Sequence, residues 1–261
     1  MRFKKVKGFT FDEASHTYQL DGHLLTGVTT VLGVRNKEFL MWWTVKLMYE
    51  TLLPKLGDVQ GITKTKWEEI LLEAKKAHTV RKKDALESGK IAHDVIEKYI
   101  KDKIQGFKTP MLVPIEDERA KASFEAFKAW EGANNVEWLA SEVKLCDKET
   151  SIAGTVDAVA NINGITTVLD FKTSNQISED VALQTAAYEF LVHKNCDDPE
   201  RKLQRAVLRI PKDGQDFEYQ RIDTDYEFDL KTFLSMREVH RWNLYIKNRF
   251  TKDNKVKLQN D

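Results

Sequence analysis

Apolar residues recur at every second position in three successive stretches, Trp138 to Cys146, Ile152 to Asn161 and Ile165 to Lys172. That period predicts three strands of an antiparallel meander. Two shorter runs, Leu203 to Ile210 and Phe217 to Ile222, predict further strands hinged at Pro211-Lys212-Asp213-Gly214. Near the start, Phe9, Phe11, Tyr18 and Leu20 are spaced by twos, and Asp21-Gly22 precedes His23-Leu24-Leu25, which predicts a hairpin over residues 9 to 25. Elsewhere the period is helical. It predicts helices from Leu40 to Leu53, from about Thr65 to Leu86, over 89 to 103, over 116 to 133, from a Ser178 cap to His193, and from Tyr226 to Phe250. Ser88-Gly89 reads as a break between two of these. Thr26 to Leu32 reads as a loop entering a short helix with a threonine N-cap. The order through the middle is α-β-β-β-α-β, so the fold class expected is α/β (α+β) with helical additions at both ends. One domain is expected over residues 1–250, divided at 87/88 and 223/224 into a hairpin-and-helix part, a core and a closing helix. A polar, frayed tail is expected over 251–261.

Composition narrows this picture only slightly. The 261 residues are 41% hydrophobic and 31% charged, as in an ordinary globular chain. Lys and Arg number 41, as do Asp and Glu, so no global basic field announces a nucleic-acid partner. Local runs, above all Lys75, Lys76, Arg81, Lys82 and Lys83, read first as solvated faces. Two cysteines, Cys146 and Cys196, are too few and too distant for a disulfide framework or a zinc site. No apolar run is long enough to span a bilayer, and the basic start lacks the apolar stretch of a secretory signal. A reducing, cytoplasmic setting without a membrane is expected.

Chemistry concentrates in the meander. Along Ile165 to Lys172, Ile165, Thr167, Leu169 and Phe171 share one face, while Thr166, Val168, Asp170 and Lys172 share the other. Asp157 sits on the preceding strand among small and apolar residues, with Gly154 leaving room for a backbone or ligand to approach. Two acids on adjacent strands repel unless a cation lies between them, and hard oxygen donors suit Mg²⁺ or Mn²⁺. The alternatives are a buried Asp-Lys ion pair or strand ends that reach solvent. Beside a metal, Lys172 could orient or deprotonate water. His93, with Gly89 four residues before it and Glu97 four after, is a reasonable third ligand, and Glu142 shares a parity that could bring it to the same cleft. Gln184 and Tyr188 lie one helical turn apart and could hold a nucleotide or its phosphate.

Taken in order, these residues resemble a known family. Gly89-x-x-x-His93-x-x-x-Glu97, Gly154-Thr155-Val156-Asp157, Asp170-Phe171-Lys172-Thr173 and Gln184 to Tyr188 resemble the PD-(D/E)XK nuclease superfamily, most closely its RecB-like exonuclease branch. That branch includes phage exonucleases and the mitochondrial genome maintenance exonuclease. His16-x-Tyr18 and Val28-Thr29-Thr30-Val31-Leu32 are similar to the start of many phage members, although Thr26-Gly27 stands where Pro-Ser is usual. The resemblance implies a restriction-endonuclease-like αβββαβ core with a central mixed sheet flanked by helices. It implies a metal held by His93, Asp157, Asp170 and the backbone carbonyl of Phe171; Glu142 is a candidate from strand parity alone, with solvent exposure as the alternative. Lys172 would act on the attacking water. Gln184, Tyr188, Thr173 and Ser174 would meet the substrate, with Glu97, Thr29, Lys82 and Lys83 as outlying contacts. The implied activity is a metal-dependent DNA exonuclease leaving 5′-phosphates, with an endonuclease or a non-catalytic DNA-binding protein as alternatives.

Overall fold

The predicted meander forms the centre of one eight-stranded sheet. The structure, a computed structural model, describes residues 1–35, 38–58, 62–107 and 114–257. Strands β4 (Val136–Asp147), β5 (Ile152–Ile162) and β6 (Ile165–Lys172) pair antiparallel in sequence. The next strand, β7 (Gln204–Arg209), lies parallel to β6, and β8 (Glu218–Arg221) runs antiparallel to β7. The N-terminal strands β1 (Phe9–Asp12), β2 (Thr17–Leu20) and β3 (His23–Gly27) extend the same sheet, because β3 adds parallel to the first residues of β5. Asp21 and Gly22 both take positive φ between β2 and β3, as the Asp-Gly pair predicts for a tight hairpin turn. The sheet is therefore mixed, as expected.

Helices cover both faces. On one side α3 (Lys64–Ile104) and α4 (Glu118–Gly132) bury Ile96, Ile100, Phe127 and Trp130 against Ala158, Leu169 and Phe171. Phe127 is the hub, with ring centroids 5.7–5.8 Å from Tyr99, Trp138 and Phe171. On the other side α1 (Val28–Leu32), α5 (Asp180–Asn195) and α6 (Tyr226–Lys257) bury Val31, Leu191 and Phe233 against Val159 and Val168. A further helix, α2 (Glu38–Leu52), packs on α3 and ends in a 3-10 turn containing Pro54 and Gly57. Among the described residues no helix is long and apolar enough to cross a membrane.

Four expectations about helix ends are corrected. The break at Ser88-Gly89 does not exist: α3 is one helix of 41 residues, and the expected boundary at 87/88 falls inside it. Ser88 is buried and donates to Asp117 Oδ1 at 3.1 Å, the same oxygen that caps α4 through Arg119 N and Ala120 N. A Cβ on Gly89 would lie 2.9 Å from Thr173 Oγ1. The pair serves close packing, which tertiary contacts reward more than helix propensity penalises. At α1 the N-cap is Gly27 rather than a threonine, with extended backbone and the Tyr18 ring alongside. At α5, Ser178 offers its carbonyl to Val181 N and not its hydroxyl, while Arg35 fixes Glu179 and Asp180 at 2.6 and 2.7 Å. The closing helix does not stop at Phe250: the stretch Thr251 to Lys257 holds no Gly or Pro and continues α6. Residues 258–261 of the expected tail lie outside the described residues.

One buried carboxylate ties α3, α4 and β4 together. Glu131 accepts from Tyr99 Oη at 2.6 Å, Trp138 Nε1 at 2.8 Å and Lys128 Nζ at 2.6 Å, with Lys103 at 3.2 Å. Burial works against its charge, but the bonds from Lys128, Tyr99 and Trp138 outweigh it and hold the carboxyl down at about 2. A depressed folded-state value means stability that is present above the unfolded value, near 4.5, and lost as pH falls toward 2. The shift corresponds to about 3 kcal/mol. We expect Glu131→Gln to be least stable relative to wild type at neutral pH, with urea midpoints converging at the acid end of that window. A gap that did not narrow on acidification would show that the charge of Glu131 is not what matters.

Candidate active site

Two carboxylates meet where the sheet is distorted. Before Asp157, Ile152 and Val156 face the α5 side; after it, Ala158, Ala160 and Ile162 face the α3–α4 side and Val159 the α5 side. Strict alternation would keep Val156 and Ala158 on one face, so the strand changes parity around Asp157. Opposite lies Glu142, between the pairs Ser141↔Ala158 and Val143↔Val156, with φ of 49°. A glutamate in the left-handed region is strained by an amount on the order of 1 kcal/mol, and such residues cluster at functional sites. Together the two irregularities aim both acids into one cleft.

The third member comes from α3. Gly89 lets that helix press onto the loop after β6, and His93, one turn on, stands edge-to-face with Phe171 at 6.1 Å. Among the described residues one group of metal-type side chains converges: His93, Glu142 and Asp157 each offer an atom within 4.8 Å of the others. Glu142 thus joins two of the expected ligands. Burial, Asp157 and Glu97 all raise the Glu142 carboxyl above the usual range, opposed by Lys144 and Lys101. A site that resists its own negative charge is one that a cation would relieve.

Asp170 is not in that trio. It is 1% exposed, and burial and Asp157 push its carboxyl up while Lys172 pulls it down. Lys172 Nζ stands 2.7 Å from Asp170 Oδ2, a close buried ion pair. An imidazole and two converging carboxylates, with the buried carboxylate of Asp170 on the next strand, are donors that fit a hard divalent ion. Phe171 N donates to Asp157 Oδ2 at 2.7 Å, which ties the backbone of β6 to the trio.

Lys172 is held from two sides. Its Nζ donates to Gln184 Oε1 at 3.0 Å, and Gln184 Nε2 donates to Tyr188 Oη at 3.1 Å. Burial opposes the lysine's charge, but Asp170 and Asp157 more than compensate and raise its pKa. Burial, then Asp157 and Asp170, raise the Tyr188 hydroxyl well above 10, so it stays a phenol. Gln184 and Tyr188 are both buried, and their geometry is that of a chain fixing the lysine. The space beside Gly154, expected to admit a ligand, is filled: a Cβ there would lie 2.9 Å from the Tyr188 ring and 3.0 Å from Val28.

The outlying residues are scattered. Thr173 is half-buried against Gly89, while Ser174 is exposed and donates to Gln176 O at 2.8 Å. Glu97 is half-buried and paired with Lys101 on α3. Thr29 is exposed on α1, and Lys82 and Lys83 are exposed on α3 before Gly89. Tyr18 is a neighbour that periodicity marked only as a hairpin position. Its hydroxyl lies 2.9 Å from Thr155 Oγ1, and its pKa is raised by burial and also by Glu142 and Asp157.

No curated protein matches the sequence. Among solved structures, the crystal structure of SSO0001 aligns with a TM-score of 0.27 and 19% identity, over 44% of this chain and 54% of that one. The family model of the PD-(D/E)XK nuclease superfamily matches residues 69–252, which takes in α3 from its second turn, the whole αβββαβ core and most of α6. The chain belongs to the PD-(D/E)XK nuclease superfamily.

Proposed function

We propose that the protein is a divalent-metal-dependent DNA exonuclease of the RecB-like branch. It hydrolyses phosphodiester bonds to leave 5′-phosphates, in DNA repair, recombination or replication in a bacterial or phage-infected cytoplasm. The observation that carries the reading is the convergence of His93, Glu142 and Asp157 next to a buried Asp170 and a lysine fixed from two sides. His93, Asp157 and Glu142 would hold the ion, with Asp170 and the carbonyl of Phe171 completing its oxygen donors. Bound there, Mg²⁺ or Mn²⁺ would polarise a phosphoryl oxygen and acidify water.

The chain's own residues divide the remaining work. Lys172 keeps its proton, so it acts as a fixed ammonium that orients the attacking water and neutralises charge developing on the phosphoryl group. Gln184 and Tyr188 hold that ammonium in place rather than meeting the substrate directly. Preorganisation of this kind removes reorganisation from the chemical step. The test is cleavage of linear and circular single-stranded DNA with Mg²⁺, Mn²⁺ or a chelator. Loss of linear DNA with metal only, circular DNA intact, and 5′-phosphorylated products are the expected results. Degraded circles would make the enzyme an endonuclease, and intact linear DNA under all conditions would end the hydrolase reading.

A further inference from the structure

On the far side of Glu142 the site opens into a groove of about 490 Å³. Its walls are β4, from Leu139 to Lys144, and the last turn of α3 with Lys101, Ile104 and Gln105. β4 pairs only with β5 among the described residues, so its other edge is free. Glu142, at positive φ, interrupts that edge, and a protein strand could not continue its hydrogen bonds along it. The groove instead has the chemistry of a nucleic-acid surface. Lys144 is exposed, with its ammonium 5.2 Å from the Phe11 ring, and His16 stands edge-on to Phe11 at 5.1 Å. Lys101 faces the groove from α3 and pairs with Glu97 one turn before it. With the lysine exposed, such an ion pair is worth at most about 1 kcal/mol.

We propose that this groove is a polynucleotide track. A single strand passes along the free edge of β4 beside the last turn of α3, with Lys144 and Lys101 against its phosphates and Gln105 next to them. A groove with cations on both walls that tracks the backbone is one of the elements from which sequence-tolerant single-strand sites are built. Continuity with Glu142 places the track directly against the trio. The inference rests on the nuclease reading and adds to it the direction from which the strand meets the site.

Binding of a fluorescein-labelled oligothymidylate, measured by anisotropy across a salt series, tests it in the full-length chain carrying Asp170→Ala to prevent turnover. Lys101→Ala with Lys144→Ala should weaken binding roughly tenfold and lower the slope of log K against log salt by about 0.7 for each lysine. Gln105→Glu, an exposed substitution that removes no packing, should weaken it as well. In the active enzyme the same changes should raise KM. The same charge removed at Lys148 and Lys194, which do not line the groove, should leave affinity nearly unchanged. If wild type cleaves DNA but the groove variants bind with unaltered affinity and slope, the track is wrong and the nuclease reading stands. Equal losses from both lysine pairs would also overturn it, since they would report only bulk charge. An active-site-intact protein that neither binds nor cleaves DNA with Mg²⁺ or Mn²⁺ would remove both readings together.

Discussion

Replacing Lys172 by alanine is expected to lower metal-dependent DNA cleavage by about 10²–10⁴-fold while the protein stays folded. The ammonium reaches the site from the last position of β6, with Gln184 Oε1 at 3.0 Å and Asp170 Oδ2 at 2.7 Å. Asp170→Ala should cost at least as much, because it removes both a metal-type oxygen and the partner that keeps the lysine charged. The two losses should not add, since the residues act as a unit. Gln184→Ala should produce a smaller loss, chiefly in kcat, because it loosens the lysine without removing it. The measurement is single-turnover cleavage of labelled linear DNA, with circular dichroism to establish folding. Activity within a few-fold of wild type in both Asp170→Ala and Lys172→Ala would refute the assignment of the catalytic pair.

The second large effect lies away from the chemistry. Arg205 on β7 is only 4% exposed, and its guanidinium spans Asp229 at 2.8 Å and Glu189 at 3.3 Å. It also donates to the carbonyls of Ala182 at 3.1 Å and Thr224 at 2.7 Å, with the Tyr226 ring 5.7 Å away. One side chain thereby joins the sheet to α5 and to the start of α6. Arg205→Ala leaves buried Asp229 without its cation and Glu189 with His193 at 3.5 Å in its place, and breaking a buried pair from one side costs about 3–5 kcal/mol. Equilibrium urea unfolding should show a loss of that size, and Arg205→Met with Glu189→Gln and Asp229→Asn should recover much of it. A single-variant loss under about 1 kcal/mol would mean that water already reaches the cluster.

Much of the core was legible because its signals are local. Period-two alternation marks β4 to β6, Asp21-Gly22 marks its turn, and the parity that brings Asp170 and Lys172 to one face is a property of any strand. Other features depend on contacts that sequence spacing does not encode. Ser88-Gly89 reads as a helix break, yet Asp117 and Thr173 turn it into a point of close packing inside α3. The room beside Gly154 belongs to Tyr188 and Val28 rather than to a ligand. Parity brings Glu142 only near the cleft; its entry into the trio comes from a left-handed backbone and a parity change at Asp157. Nothing in the stretch Leu203 to Ile210 announces that Arg205 points inward to two acids from distant helices. The hairpin was expected, but its joining the main sheet through Thr26 and Gly27 was not.

The unbroken run of α3 gives the site a mechanical property. Gly89, pressed against Thr173, acts as a fulcrum. Lys64 lies about 37 Å from it along the helix axis and His93 only about 6 Å beyond it. A tilt that swings the outer end of the rod, with α2 on its back, through about 6 Å therefore displaces His93 by only about 1 Å. Any tilt of the rod about that contact would therefore move the imidazole least, because it sits one turn from Gly89.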